Sequence, residues 1–395
     1  MAPRIVGAII ALGLLFSSPA QAKMSFVPMP VIDTDPNAGG TFGFMPVFMF
    51  LNEKEEVSSM MVPDLTYNEK TGISGTFRYF GYPKKGREYF LLLSQSIKRA
   101  HDYELHWEDS SFLDDRYRLE LDLSSVVDTT ARLYGFGNKS HEDRETNYAH
   151  QETAVKVMGG VNLFRNTRLE LTESFRRVRV KEGEDDDLPY SRALFPRMRG
   201  LTRSRTWGHA LALTYDSRDS VDLPTIGGYA RMLWEVSFKD LISSSTFIRT
   251  TLDLKKLLPS RDKRFTLVLR GKGRFLLRQD QGLPFYEESR LGGWDTLRGF
   301  GDQRFIDHNL LLFSAEERIK VYSRRLFNVA AEFEVAPFLE AGRVFHHLSD
   351  MAGGRYHVVG GVGFRAIVRP DIVGFVDVGM GEEGTTAFMG LGYPF

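Results

Sequence analysis

An all-β fold, a single antiparallel transmembrane barrel of sixteen strands, is what this 395-residue sequence predicts. Three observations carry that reading. The chain opens on an export-type leader, apolar residues alternate with charged ones at period two, and long polar connections take turns with short ones. Composition narrows the field further. Basic and acidic residues balance at 51 each, so no polyphosphate-binding surface follows and nucleic acid is not an expected partner. With Cys 0 there is no disulfide framework, thiolate metal site or cysteine nucleophile. A charged fraction of 26% rules out a helical membrane bundle but not a barrel, where only alternate residues meet lipid.

The leader is residues 1–22. Arg4 precedes an apolar run from Ile5 to Phe16, and Ala20-Gln21-Ala22 has the small-x-small form of a cleavage site. The run is too short to span a bilayer as a helix. Cleavage after Ala22 is expected, with the mature chain starting at Lys23. Residues 23–39 contain Val27-Pro28-Met29-Pro30 and Asp35-Pro36-Asn37, and read as a short extended periplasmic tail. The barrel is expected over residues 40–395.

Strand centres are expected near residues 46, 61, 76, 93, 120, 157, 174, 211, 233, 249, 270, 315, 339, 362, 375 and 390. Tyr117, Leu119, Leu121 and Leu123 share one parity, with Arg116, Arg118, Glu120 and Asp122 on the other. From Arg264 to Leu277 the odd positions are apolar or glycine, and the even ones include Arg270, Lys272 and Arg274. A soluble sandwich would have to bury that charge, whereas a hydrated lumen accepts it. With a periplasmic N-terminus, the polar stretches 135–149, 182–187 and 279–307 lie outside. The turns at 165–167, 323–325 and 369–371 then lie in the periplasm. Pro46 in the first strand and Pro394 in the last donate no ladder bond, which suggests a weak closing seam; fraying ends explain it equally well. Ala387, Met389, Leu391, Tyr393 and Phe395 share one parity, the pattern of a terminal barrel strand at the lipid boundary.

Three segments resemble the BamA/TamA superfamily of outer-membrane barrels, the bacterial surface antigens. Tyr215-Asp216-Ser217-Arg218-Asp219 with Leu223-Pro224-Thr225-Ile226-Gly227-Gly228-Tyr229 is similar to that family's periplasmic turn between its eighth and ninth strands. Leu291 to Phe300, containing Arg298-Gly299-Phe300, is similar to the signature of its sixth external loop, which folds back into the lumen. Phe338-Leu339-Glu340-Ala341-Gly342 and Phe375-Val376-Asp377-Val378-Gly379 match its Phe-x-acid-x-Gly pattern. Glu316 and Arg318 match an acid-x-Arg pattern, which puts Glu317 on the lipid parity. Parity points Glu340 and Asp377 inward, and a carboxylate away from bulk water needs a cation. Arg298 is the cation the resemblance supplies, paired with Glu340 or Asp377.

The resemblance implies a barrel-only branch without the family's folded periplasmic domains, in a Gram-negative outer membrane. It implies insertion or translocation of protein or lipid. A passive porin-like channel is the first rival, and an outer-membrane lipolytic enzyme the second. Expected partners are outer-membrane lipid and lipopolysaccharide, the barrel-assembly machinery during biogenesis, and a protein or lipid client. No catalytic residue, metal site or cofactor is expected: His346-His347 read as surface residues and Glu182 to Asp187 as a solvated loop. Arg270, Lys272 and Arg274 read as a ladder that neutralises neighbouring acids or guides anionic solutes.

Overall fold

The computed structural model describes residues 23–35, 37–53, 57–239, 242–280, 282–326, 329–368 and 372–395. The leader and the turn at 369–371 lie outside the described residues. The strands are β1 (Lys23–Asp35), β2 (Gly39–Leu51), β3 (Val57–Asn68), β4 (Gly72–Lys84), β5 (Arg87–Ser96), β6 (His101–Phe112) and β7 (Tyr117–Leu133). They continue as β8 (Thr146–Phe164), β9 (Thr167–Lys181), β10 (Arg203–Asp216), β11 (Gly227–Ser237), β12 (Phe247–Pro259) and β13 (Phe265–Gln279). Then come β14 (Ser289–Leu291), β15 (Phe305–Asp307), β16 (Asn309–Leu326), β17 (Val329–Phe345), β18 (His357–Val368), β19 (Ile372–Gly381) and β20 (Gly384–Leu391). All but β14 and β15 form one 18-stranded antiparallel sheet in which chain neighbours pair and β1 meets β20. β14 and β15 make a separate two-stranded sheet inside the connection from β13 to β16.

The all-β antiparallel expectation holds, and the count of sixteen is corrected to eighteen. One added strand is β1, in the segment read as a periplasmic tail. Its outer positions carry Pro28 and Pro30, which donate no ladder bonds, so β-propensity is low; β2 nonetheless pairs with it along all 13 residues. The other is β6. Tyr103, Leu105 and Trp107 alternate there with Asp102, Glu104, His106 and Glu108, so an acidic inner face makes a strand read as a loop. Residues 323–325 are not a turn but lie within β16. The turn at 165–166 is as expected, with Asn166 at φ 67.

The β9–β10 pair shows why such residues make a wall. Leu169 faces Leu213, Leu171 faces Leu211 and Phe175 faces Trp207 on the outer side. Glu170, Thr172 and Arg176 point inward between them. The apolar outer pairs meet lipid, Glu173 and His209 between them neutralise each other at 2.8 Å, and the inner residues find polar partners in the lumen, the division of a membrane barrel. Tyr215 toward the short-turn end and Phe175 with Trp207 toward the long-loop end mark the two interfaces where aromatic rings sit.

Candidate functional site

The inner wall of β16 to β19 carries a closed set of three guanidinium and three carboxylate groups. Arg298, from the connection between β13 and β16, is fully buried. Its backbone N–H and Nε each donate to Glu340 on β17 at 2.8 Å. Its Nη1 donates to Glu316 on β16 and to Asp377 on β19, again at 2.8 Å. The sequence left Glu340 and Asp377 as alternatives; both are bonded, and Glu316 with them. Arg365 on β18 donates to Asp377 and to Glu316, and Arg318 donates to Glu316 at 3.1 Å. Three positive and three negative groups cancel, which is what makes burial of six charges tolerable. Sequence reasoning overlooked Arg365, although the inward parity of Gly361, Gly363 and Arg365 is visible in β18. Glu317 does lie on the outer parity, opposite Leu267 near the short-turn end of β13, where a carboxylate can reach water.

Backbone approach matters as much as charge. A Cβ on Gly379 would stand 2.1 Å from the carbonyl oxygen of Arg298, and one on Gly299 2.7 Å from the nitrogen of Gly381. Only glycine lets this loop segment lie against β19. Phe300 is buried with Leu291, Leu297, Phe305, Leu310, Phe338 and Val359, and the Arg298 guanidinium lies 3.5 Å from the Phe338 ring centroid.

The same connection is anchored on the other wall by Glu287, which the sequence did not single out. Its carboxylate pairs with Arg176 of β9 at 2.5 Å, accepts from Thr206 of β10 at 2.6 Å and accepts from Arg249 of β12 at 3.3 Å. Burial pushes Glu287 up, but Arg176 and Arg249 outweigh it and bring it down to about 2. The basic ladder braces this loop: Arg270 donates to the carbonyl of Asp295 at 2.7 Å, Arg274 to that of Glu287 at 3.3 Å, and Lys272 lies 3.8 Å from the Asp295 carboxylate. His346, read as a surface residue, is half-exposed but sits 3.1 Å from Asp307.

The turn motif from Ser217 to Ile226 reaches the charge cluster from the other end. Arg218 donates to both oxygens of Asp216, at 2.9 and 2.7 Å. Asp219 accepts from Thr225 Oγ1 at 2.6 Å and from the amides of Thr225 and Ile226. Gly227 has φ 115, and a Cβ there would meet the carbonyl of Ser217 at 2.3 Å. The Pro224 carbonyl accepts from Arg318 at 3.4 Å, while Leu223 packs with Ile367, Val373 and Tyr393.

Tyr393 and Phe395 are not on the lipid side with Ala387 and Met389. Gly392, at φ 92, ends β20 and reverses the parity. Tyr393 donates to Glu334 at 3.0 Å beneath Arg318, and the Phe395 ring centroid lies 5.3 Å from Arg298 and from Arg270. Pro394 is buried beyond β20 rather than within it, and Pro46 lies one strand away from the seam, because β1 is the closing strand.

The seam itself is thin. Among the described residues β1 and β20 share one ladder pair, Thr34 opposite Ala387, against thirteen consecutive pairs between β1 and β2. Pro28 faces Pro46, and the β2–β3 pairing lapses between Phe44–Leu65 and Phe48–Met61, which sets Pro46 level with Pro63. Three adjacent strands thus lack an amide donor at one level. Here the inner face is apolar: Val31, Met45, Val47, Met49, Met60 and Val62 form one buried cluster, touched by Met29 and Met389. A cavity of about 720 Å³ adjoins it, lined by inward residues such as Met29, Met45, Thr76 and Arg78, and also by the outward Phe364 and Val376.

A family model described as the Omp85 superfamily domain matches residues 84–368. The chain belongs to the Omp85 superfamily. It is an outer-membrane β-barrel of the Gram-negative envelope, and the BamA/TamA resemblance of its motifs is borne out at family level. Among solved structures, BamA from Haemophilus ducreyi lacking POTRA domains 1–3 is similar over 99% of this chain and 78% of that one, with a TM-score of 0.55 at 12% identity. CdiB from Escherichia coli is similar over 96% of this chain and 67% of that one, with a TM-score of 0.50 at 12% identity. Identities this low speak for the Omp85 fold alone. No curated protein shows significant sequence similarity to the chain.

Proposed function

We propose that this barrel passes an amphiphilic client, protein or lipid, between its lumen and the outer membrane through the seam between β1 and β20. One observation carries the reading: among the described residues the seam has a single ladder pair, beside a cavity whose lining includes both inward and outward side chains. A passage between water and lipid needs both surfaces. In this reading the connection from β13 to β16 is an inward-folded plug, latched at Arg298 by Glu316, Glu340 and Asp377 and anchored across the lumen at Glu287. The periplasmic turn from Asp216 to Gly227 is its floor. Residues 1–22 are a cleaved leader, and the aromatic end at Tyr393 and Phe395 is what the assembly machinery reads before the strand closes. Neither a catalytic group nor a cofactor takes part.

The test is a pair of cysteines at Thr34 and Ala387. Oxidised, the pair is expected to close the seam and stop client transfer, with full recovery on reduction. Transfer that persists through a quantitatively cross-linked seam overturns the reading. A passive porin makes the opposite electrical prediction. The wild type is expected to conduct little in planar bilayers until Arg298 is changed to Ala, and a large steady conductance in the wild type would establish the porin instead.

A further inference from the structure

The outer face of β9 and β10 carries a charge arrangement that the barrel's own residues do not satisfy. Beyond the aromatic pair Phe175 and Trp207, the next two facing pairs are Arg177 with Arg205 and Arg179 with Arg203. All four are exposed on the outer parity. Like charges directly opposite one another across a ladder are destabilising. Among the described residues no carboxylate pairs with any of the four. The acidic stretch that follows β9 does not cancel them either. Asp185, its buried member, turns the other way to Arg132 and to Lys70, 2.9 Å distant. Bases face outward and the buried acid faces the barrel mouth.

Position says what neutralises them. Phe175 and Trp207 sit where aromatic rings mark the membrane interface. The arginine pairs begin two residues farther on, about 7 Å along the strands, at headgroup level and on the side of the long external loops. We propose that Arg177, Arg179, Arg203 and Arg205 bind the phosphate groups of a phosphorylated lipid headgroup in the outer leaflet. Planar guanidinium forks suit phosphate bidentately, and two facing pairs can hold one anion each. Below the aromatic pair Glu173 and His209 pair with each other, 2.8 Å apart, and beyond them Leu171 with Leu211 and Leu169 with Leu213 give the lipid's chains a surface. An apolar surface on the same outer face distinguishes a lipid from a free anion. The proposal rests on the outer-membrane location and is independent of whether the seam opens.

The full chain, purified in neutral detergent, is mixed with bis-phosphorylated lipid A or its dephosphorylated form, and retained lipid is read by native mass spectrometry. The wild type is expected to prefer the phosphorylated form by about tenfold or more. The quadruple variant R177Q/R179Q/R203Q/R205Q is expected to lose that preference while melting in lipid-free detergent no lower than the wild type, because the like-charge pairs are gone. Equal retention of both lipids by the wild type overturns the proposal, as does an undiminished preference in the quadruple variant. Complete displacement by an equal concentration of inorganic phosphate also overturns it, since the site would then take any anion. Should the quadruple variant not fold, the wild-type lipid pair and the double variant R203Q/R205Q decide the question.

Discussion

Two stretches of one wall meet the lumen in opposite ways. From β16 to β19 the inner face is charged and closed: Glu316, Glu340 and Asp377 converge on one loop arginine, Arg298, and Arg318 and Arg365 pair with Glu316 from the wall. From β1 to β3 it is apolar and open, a methionine-rich surface beside a cavity and a one-pair junction. The first stretch has many hydrogen bonds whose loss would leave charges buried. The second has few directional bonds and side chains that repack at little cost. The contrast teaches that what braces the wall here is the chemistry of the inner face, since both stretches are antiparallel sheet with one irregular register.

Removing Arg298 is the severest way to break the comparison. Arg298→Ala leaves three buried carboxylates with two guanidinium partners, and a loss on the order of 3–5 kcal/mol is expected in denaturant unfolding from detergent. A loss below about 1 kcal/mol would mean that the cluster is hydrated and the contrast false. Next comes backbone approach. Gly379→Ala drives a Cβ into the Arg298 carbonyl and is expected to cost about 1–3 kcal/mol. Gly360→Ala, where a Cβ would meet nothing within 4 Å, is expected to stay within about 0.5 kcal/mol. Similar melting shifts for both would remove close loop–wall contact as the reason for glycine at 379.

Acid should loosen the loop in a defined window. Glu287 is held well below its ordinary 4.5 by Arg176 and Arg249 against the effect of burial. A depressed carboxylate contributes its full stability above its unfolded value and loses it as pH falls through the folded one. Protease resistance of the β13–β16 connection is therefore expected to hold at pH 6, to weaken below about pH 4.5 and to be lost as pH falls to about 2. Glu287→Gln should abolish that step, and an unchanged acid profile in the variant would assign it elsewhere. The smallest expected effect lies at the seam: Pro46→Val restores one donor to β2 and should raise stability by less than about 1 kcal/mol, read as a small rise in melting temperature. A large fall would show that the proline is required by the backbone there.

The same contrast explains what is legible in the sequence. Where one face is charged and the other apolar, as at Arg264 to Leu277, period two announces the strand and the lumen together. Glu340 and Asp377 can be placed inward by parity, and a cation partner is demanded by their burial. At β1 the rule fails because both faces are apolar and proline occupies the outer one, so alternation carries no contrast. At β6 it fails for the opposite reason, since an inner row of Asp102, Glu104, His106 and Glu108 looks like a solvated loop. Tyr393 and Phe395 illustrate a third limit. Parity counts through a strand but not past a residue such as Gly392, whose left-handed backbone turns the following side chains over. Glu287 had no local signal at all, because its partners come from three distant strands.

Pro28, Pro46 and Pro63 run side by side across β1, β2 and β3. A sheet deprived of donors along one such line has a built-in line of weakness, and bends there before its edges tear. Bending along it would tilt one end of β1, β2 and β3 together against the other, greasy on both sides, so the doorway would open as a flap rather than unzip from top to bottom.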